Sequence, residues 1–290
     1  MEGPPGFVRC LAYEVEERDP WSVGELEIRL EERVLHILAS ADALRVAAFA
    51  GPGPGPVRLS SLVTALEEQP VDILLMVGGL GDSVSIAQQT LAALEPLTGL
   101  TLILAGGRDD VEVWGDAWDS LSNEEEAEIL DARGIAQVRF RGAGLILVSG
   151  APGGRYARTD TSCGFTPEDV EDLADELGSP SGPRSFVSWA APAGMGHAFG
   201  GLDVGSRALM DLADEAEIRG GIFAWPRALG GQEARSEGGE PPPSGERFHH
   251  RFVERLGGLP VLRGDGSLAL GRLARFRLDS AGLHPVISTP

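Results

Sequence analysis

Arg108 and Asp109 stand side by side after the apolar run Leu100–Ala105, and Arg227 closes a second such run, Ile222–Trp225. A guanidinium beside a carboxylate does one of two things: it neutralises the carboxylate in a salt bridge, or it offers its planar fork to a phosphate. Four tryptophans, Trp114, Trp118, Trp189 and Trp225, fall in or just after the same strand-end segments. Clustered on a surface they would form an apolar patch for a protein partner; clustered inside they would fill volume. We therefore take Arg108, Asp109 and Arg227 as ligand-binding candidates and the four tryptophans as partner-surface candidates.

What surrounds these residues excludes much other chemistry. All 24 basic residues are arginine, so a Walker-type phosphate loop, a Schiff-base lysine and a lysine general base are excluded together. The turn Gly51-Pro52-Gly53-Pro54-Gly55-Pro56 follows a strand, but its prolines remove backbone donors and it reads as a rigid turn. Ser149 and Cys163 have no base nearby in sequence and no nucleophile-elbow pattern. His197 is the only histidine near a candidate loop, while His36, His249, His250 and His284 are scattered. Cys10 and Cys163 lack metal-ligand spacing and read as two isolated buried thiols rather than a disulfide framework.

The elements that must carry these loops alternate. Arg45–Ala50, Asp72–Val77 and Leu100–Ala105 read as strands, separated by helices bearing Leu59, Leu62, Val63 and Leu66, then Val84, Ala87, Leu91 and Leu94. That alternation predicts parallel pairing through right-handed crossovers, with loops gathered at the carboxyl ends of the strands. Ser122–Arg133 reads as a helix, and Ile135–Phe140 with Leu145–Ser149 as a strand pair. Thr166-Pro167-Glu168-Asp169 opens a helix, and Ser206–Ile218 is another. Phe186–Trp189 and Ile222–Trp225 are strands, and Gly258–Ile287 predicts terminal antiparallel strands. Trp21–Leu44 predicts an amphipathic helix, capped by Ser22 and Glu25 and carrying Leu26, Leu30, Val34 and Leu38 on one side. The expected organisation is an extension over 1–44 containing that helix, then one domain over 45–290 with a flexible loop at 230–247.

In order and spacing, the strand ends resemble the calcineurin-like metallophosphoesterases, whose members carry D-x-H, G-D, G-N-H-D, a lone H and G-H-x-H there. The matching positions in this chain are Gly51 and Gly53, Gly78-Gly79, Gly106-Gly107-Arg108-Asp109, Trp189, and Ala224-Trp225-Pro226-Arg227. The resemblance implies an α/β fold, a four-layer α/β/β/α sandwich, here with an extra N-terminal helix, and it brings Arg108 and Arg227 toward one cleft. It also implies a site stripped of its metal ligands, because glycine, alanine and tryptophan cannot offset the charge and dehydration of two divalent ions. The expectation is a catalytically inactive binding or scaffolding module that takes no metal or other cofactor. Its ligand would be a protein partner or a phosphate-containing small molecule. The competing expectation is an active phosphoesterase with an atypical metal site.

Composition narrows the setting. A formal charge of −20 opposes binding to nucleic acid, and the apolar runs are strand-length, so no membrane insertion is expected. Met1–Pro20 has no basic start and no apolar core of a signal peptide, which predicts the cytoplasm. The exclusive use of arginine points to a bacterium with an arginine-biased proteome.

Overall fold

The computed structural model describes residues 6–15, 18–50, 56–81, 83–97, 99–119, 129–153, 159–179, 181–193, 198–199, 202–203, 205–224, 252–256, 261–262, 268–269 and 273–286. The chain opens with β1 (Val8–Arg9), then β2 (Arg18–Val23), β3 (Leu26–Glu31), β4 (Val34–Leu38) and β5 (Ala43–Phe49). Next come α1 (Pro56–Glu68), β6 (Ile73–Val77), α2 (Val84–Leu94), β7 (Leu100–Leu104), α3 (Val111–Trp118) and β8 (Ile129–Asp131). Then follow β9 (Gln137–Phe140), β10 (Ala143–Val148), β11 (Ala151–Pro152), β12 (Cys163–Phe165), α4 (Pro167–Leu177) and β13 (Arg184–Ser188). The remainder comprises β14 (Ala198–Phe199), β15 (Leu202–Asp203), α5 (Arg207–Glu215), β16 (Ile218–Ala224) and β17 (Phe252–Leu256). It closes with β18 (Val261–Leu262), β19 (Leu268–Ala269), β20 (Ala274–Asp279) and β21 (Gly282–Pro285).

Two large sheets organise these elements into a mixed α/β fold. A six-stranded sheet runs β21-β20-β5-β6-β7-β8, and an eight-stranded sheet runs β17-β16-β13-β10-β9-β4-β3-β2. In the first, β5, β6, β7 and β8 pair in parallel through the α1, α2 and α3 crossovers, as the alternating pattern predicts. The central strands β6 and β7 are apolar on both faces. Val46, Ala48, Ile73, Leu75, Leu102 and Leu104 join a cluster shared with the eight-stranded sheet. Ala47, Phe49, Leu74, Met76 and Ile103 join a second cluster with the helices α1 to α3. The terminal antiparallel strands are present: β20 pairs with β5 and β21, and β18 pairs with β19.

The N-terminal segment is a correction. No helix forms over Trp21–Leu44; β2, β3 and β4 make an antiparallel meander instead. Leu26, Ile28 and Leu30 alternate with exposed Glu27, Arg29 and Glu31, the period of a half-buried strand. Gly24 (φ 57°) and Glu32 (φ 55°) turn the chain between strands, and the second turn shifts the buried parity to Leu35 and Ile37, leaving Leu38 exposed at 46%. β4 then pairs in parallel with β9, so the meander is part of the large sheet. The expected helix over Ser122–Arg133 is corrected at its end, where Ile129–Asp131 is strand β8 beside β7; residues 120–128 and the loop at 230–247 lie outside the described residues. Among the described residues no helix is long and apolar enough to cross a membrane.

Helix starts follow local chemistry. Thr166 caps α4 by accepting the Asp169 N–H (3.2 Å) while Asp169 accepts the Thr166 N–H (2.7 Å), with Pro167 in the first turn. Ser206 accepts the Leu209 N–H at the start of α5. These caps lie where the sequence places them.

Candidate functional site

The carboxyl ends of β6, β7, β10 and β13 converge on one set of loops. Gly78 and Gly79 follow β6 with φ of 73° and 78°, a conformation that turns their N–H groups inward at no steric cost. The Gly78 N–H donates to the Leu104 carbonyl at 2.7 Å, which holds the β6 loop to the end of β7. The Gly150 N–H, just beyond β10, donates to the Ala105 carbonyl at 2.7 Å and so ties the two large sheets together at this end.

Asp109 sits inside this arrangement, 7% exposed. Its carboxylate accepts the Gly79 N–H at 2.8 and 3.0 Å and the Gly106 N–H at 2.7 Å. Inward N–H groups from the loops after β6 and β7 form an anion-binding concavity, and here the anion is the protein's own side chain. The neighbouring Asp110 is spent on structure: it caps α3 through the Glu112 and Val113 N–H groups and accepts the hydroxyls of Thr161 (2.7 Å) and Thr159 (3.1 Å). Burial pushes the Asp110 carboxyl up, but those hydrogen bonds outweigh it and hold the group below the ordinary aspartate value.

Trp189, one residue beyond β13, lies against the same loops at 8% exposure. A Cβ built on Gly78 would come within 2.5 Å of Trp189 Cδ1, and one on Gly106 within 2.5 Å of Cδ1 and Nε1. A Cβ on Gly107 would meet Cζ3 at 3.0 Å and the Ala151 Cβ at 2.2 Å. The glycines thus form a floor on which the indole rests. At the ends of the adjacent strands β10 and β13, the buried hydroxyls of Ser149 and Ser188 have no hydrogen-bond partner among the described residues.

The other candidates are distributed differently. Arg108 is partly buried beside Asp109, whereas Trp225, Arg227, Gly51, Gly53 and His197 lie outside the described residues. Trp114 is 1% exposed and stacks on Trp118 with ring centroids 5.8 Å apart, and Trp189 is buried as well. Trp118 is partly buried against the same helix-side cluster. The Arg133 guanidinium packs over both Trp114 (5.2 Å) and Tyr13 (4.5 Å) and pairs with Asp131 at 2.6 Å. Sequence reading missed the backbone donors of Gly79 and Gly106; the only available signal was the Gly-Gly pair placed directly after an apolar strand.

The cysteines are also a correction. Cys10 and Cys163 form a disulfide, their Cα atoms 5.6 Å apart and both residues 1% exposed. The parallel pairing of β1 with β12 sets Val8 against Cys163 and carries Cys10 to its partner across 153 residues, a proximity no spacing rule reveals. The Cys163 N–H donates to the Asp109 carbonyl at 3.1 Å, so the bridge backs directly onto the candidate site.

No family model matches this chain, and no curated protein matches it. Among solved structures, one crystal structure aligns with a TM-score of 0.50 at 12% identity, covering 81% of this chain and 94% of that chain. Another, TT1561 of Thermus thermophilus, aligns at 15% identity with a TM-score of 0.44, covering 63% of this chain and 81% of that one. The first likeness speaks for the fold alone, and the second carries no argument.

Proposed function

We propose that this chain is a non-catalytic protein on the calcineurin-like metallophosphoesterase scaffold. In this reading its two large sheets are the inner layers of a four-layer α/β/β/α sandwich, and it works by binding or scaffolding rather than by turnover. The observation that carries the proposal is the contact of the Trp189 indole with Gly78, Gly106 and Gly107. In the resembled family that volume holds two metal ions and their ligands.

The residues present do not fit a metal pair. Gly78, Gly79, Gly106 and Gly107 bring no side-chain donor, Trp189 brings an indole, and both Asp109 oxygens already accept backbone N–H groups. Stripping those hydrogen bonds to make Asp109 a ligand would leave buried donors unpaired, at about 1–3 kcal/mol each. The same geometry argues against a phosphate entering beside Asp109, since the N–H groups that would receive it already hold a carboxylate. This favours a partner that docks on the outside of the fold or a ligand taken elsewhere on it.

Elemental mass spectrometry on tag-free protein, incubated with manganese, iron or zinc and desalted, tests the proposal. Less than about a tenth of an equivalent of metal in folded protein, with no hydrolysis of a chromogenic phosphodiester, is the expected result. Near-stoichiometric metal would overturn it and favour an active phosphoesterase with an atypical site.

A further inference from the structure

We propose that an arginine-lined pocket on the eight-stranded sheet, distinct from the strand-end loops, binds the phosphoryl group of a small phosphomonoester. His36, Arg139, Gly144 and Arg184 are direct cross-strand neighbours on β4, β9, β10 and β13. Paired residues on adjacent strands project from the same face, so the imidazole and both guanidinium groups rise in one row. Gly144, with no side chain, leaves the room in that row that the Gln137 amide occupies; a Cβ there would lie 2.3 Å from the Gln137 Nε2. The resulting pocket of about 300 Å³ is lined by His36, Gln137, Arg139, Arg141 and Arg184 among others, and no carboxylate lines it.

Each arginine is held in place without being neutralised inside the pocket. Arg139 Nε donates to the Gln137 Oε1 at 2.7 Å, and among the described residues Arg139 makes no ion pair. Arg184, 3% exposed, donates to the carbonyls of Leu177, Gly178 and Ser179 at the end of α4. Arg141 donates to the carbonyls of Ser40 and Ala41 and forms an ion pair with Asp42 at 3.4 Å, a carboxylate that is 94% exposed and outside the pocket lining, so water screens the pair. His36 lies 4.0 Å from Glu31, also largely exposed. Burial depresses the basicity of Arg184 and the facing charge of Arg139 depresses it further, while the Glu217 carboxylate acts in the opposite direction without outweighing them.

Gathering like charges at a half-buried site opposes folding unless an anion offsets them. In a chain of net charge −20 this concentration is the reverse of the general surface. Arg139 uses only its Nε on Gln137, so its Nη groups are left for the terminal oxygens of a phosphoryl dianion, while Arg184 and Arg141, whose N–H groups are held by carbonyls, add positive charge; the remaining volume suits a small organic group.

Isothermal titration of the full chain in phosphate-free, low-salt buffer, with glycerol 3-phosphate and inorganic phosphate as probes, tests this. Glycerol 3-phosphate is expected to bind with saturation, more tightly than inorganic phosphate, and Arg139→Met is expected to weaken it by roughly tenfold to a hundredfold. Arg141→Met, at a more exposed position, serves if Arg139→Met fails to fold, with a smaller loss in the same direction. Failure of the ester to bind at millimolar concentration, or equal affinity in the wild type and the folded variants, overturns the site. Equal affinity for phosphate and ester overturns the ester assignment. Because the pocket uses none of Gly78, Gly106, Asp109 or Trp189, either result leaves the metal-content test of the strand-end loops unaffected.

Discussion

Asp109 and Gly79, thirty positions apart, meet at the ends of neighbouring strands, where the Gly79 N–H lies 2.8 Å from one carboxylate oxygen and 3.0 Å from the other. A glycine in a left-handed conformation supplies the donor, and a buried side chain supplies the anion. The pair closes the loop cluster from within.

Replacing Asp109 removes an acceptor from two backbone donors, those of Gly79 and Gly106. Asp109→Ala is expected to lower stability by about 2–4 kcal/mol, and Asp109→Asn by less because an amide oxygen still accepts. Urea unfolding followed by circular dichroism measures both; a change under about 0.5 kcal/mol for the alanine variant, the scatter of a neutral surface substitution, would contradict the role assigned here.

Gly106 and Trp189 form a steric pair. Gly106→Ala places a methyl 2.5 Å from the indole and is expected to cost about 1–3 kcal/mol. Trp189→Ala alone should cost about 3 kcal/mol by opening a cavity. In the double variant the alanine at 106 no longer meets the ring, so its penalty should largely disappear. Strict additivity in a double-mutant cycle would show that the indole does not rest on that glycine.

The Cys10–Cys163 bridge closes a loop spanning 153 positions and lies in the interior. Reduction, or Cys10→Ser with Cys163→Ser, is expected to lower stability by about 2–4 kcal/mol through the freed unfolded chain. Thermal unfolding with and without a thiol reductant reads the effect. Identical melting temperatures, in protein whose mass shows that the bridge formed, would refute it.

Acid should weaken the start of α4. Burial pushes the Asp169 carboxyl up, but the Arg9 guanidinium and the Thr166 N–H and hydroxyl outweigh it and leave the group below its ordinary value. A depressed folded value means stability that is present above the unfolded pKa of about 3.9 and is lost as pH falls from there through the folded value. Asp169→Asn should therefore be less stable than wild type at neutral pH, and the difference should shrink on acidification below that range. A gap that stays constant down to the acid transition would argue against the linkage. Thr166→Ala, which removes the cap and the hydroxyl's part of the Asp169 shift but leaves Arg9 and the backbone N–H, should cost about 1 kcal/mol and depend on pH less than Asp169→Asn does.

Sequence alone determined the elements whose signals are local. Ile73–Val77 and Leu100–Leu104 are short apolar runs bounded by turn residues, and they are buried strands as read. Thr166-Pro167-Glu168-Asp169 carries a complete helix start within four residues, and the helix begins there. At the N-terminus the local signal was ambiguous, because Leu26, Leu30, Val34 and Leu38 recur every four residues, a spacing that fits a helical face and is also a multiple of the strand period. The turn at Glu32 and the partner strand β9 decided for strands by burying Leu26, Ile28 and Leu30, then Leu35 and Ile37.

Only the tertiary structure decided what the site residues do. Arg108, Asp109 and Trp189 were visible as candidates, but whether a carboxylate meets a cation, a ligand or two backbone amides depends on loops from different strands arriving together. The same holds for Cys10 beside Cys163 and for the row His36, Arg139 and Arg184, each set assembled by β pairing between residues far apart in the chain. Residue spacing along a chain encodes periodicity and capping, whereas these proximities follow from strand order and register, which no single segment contains.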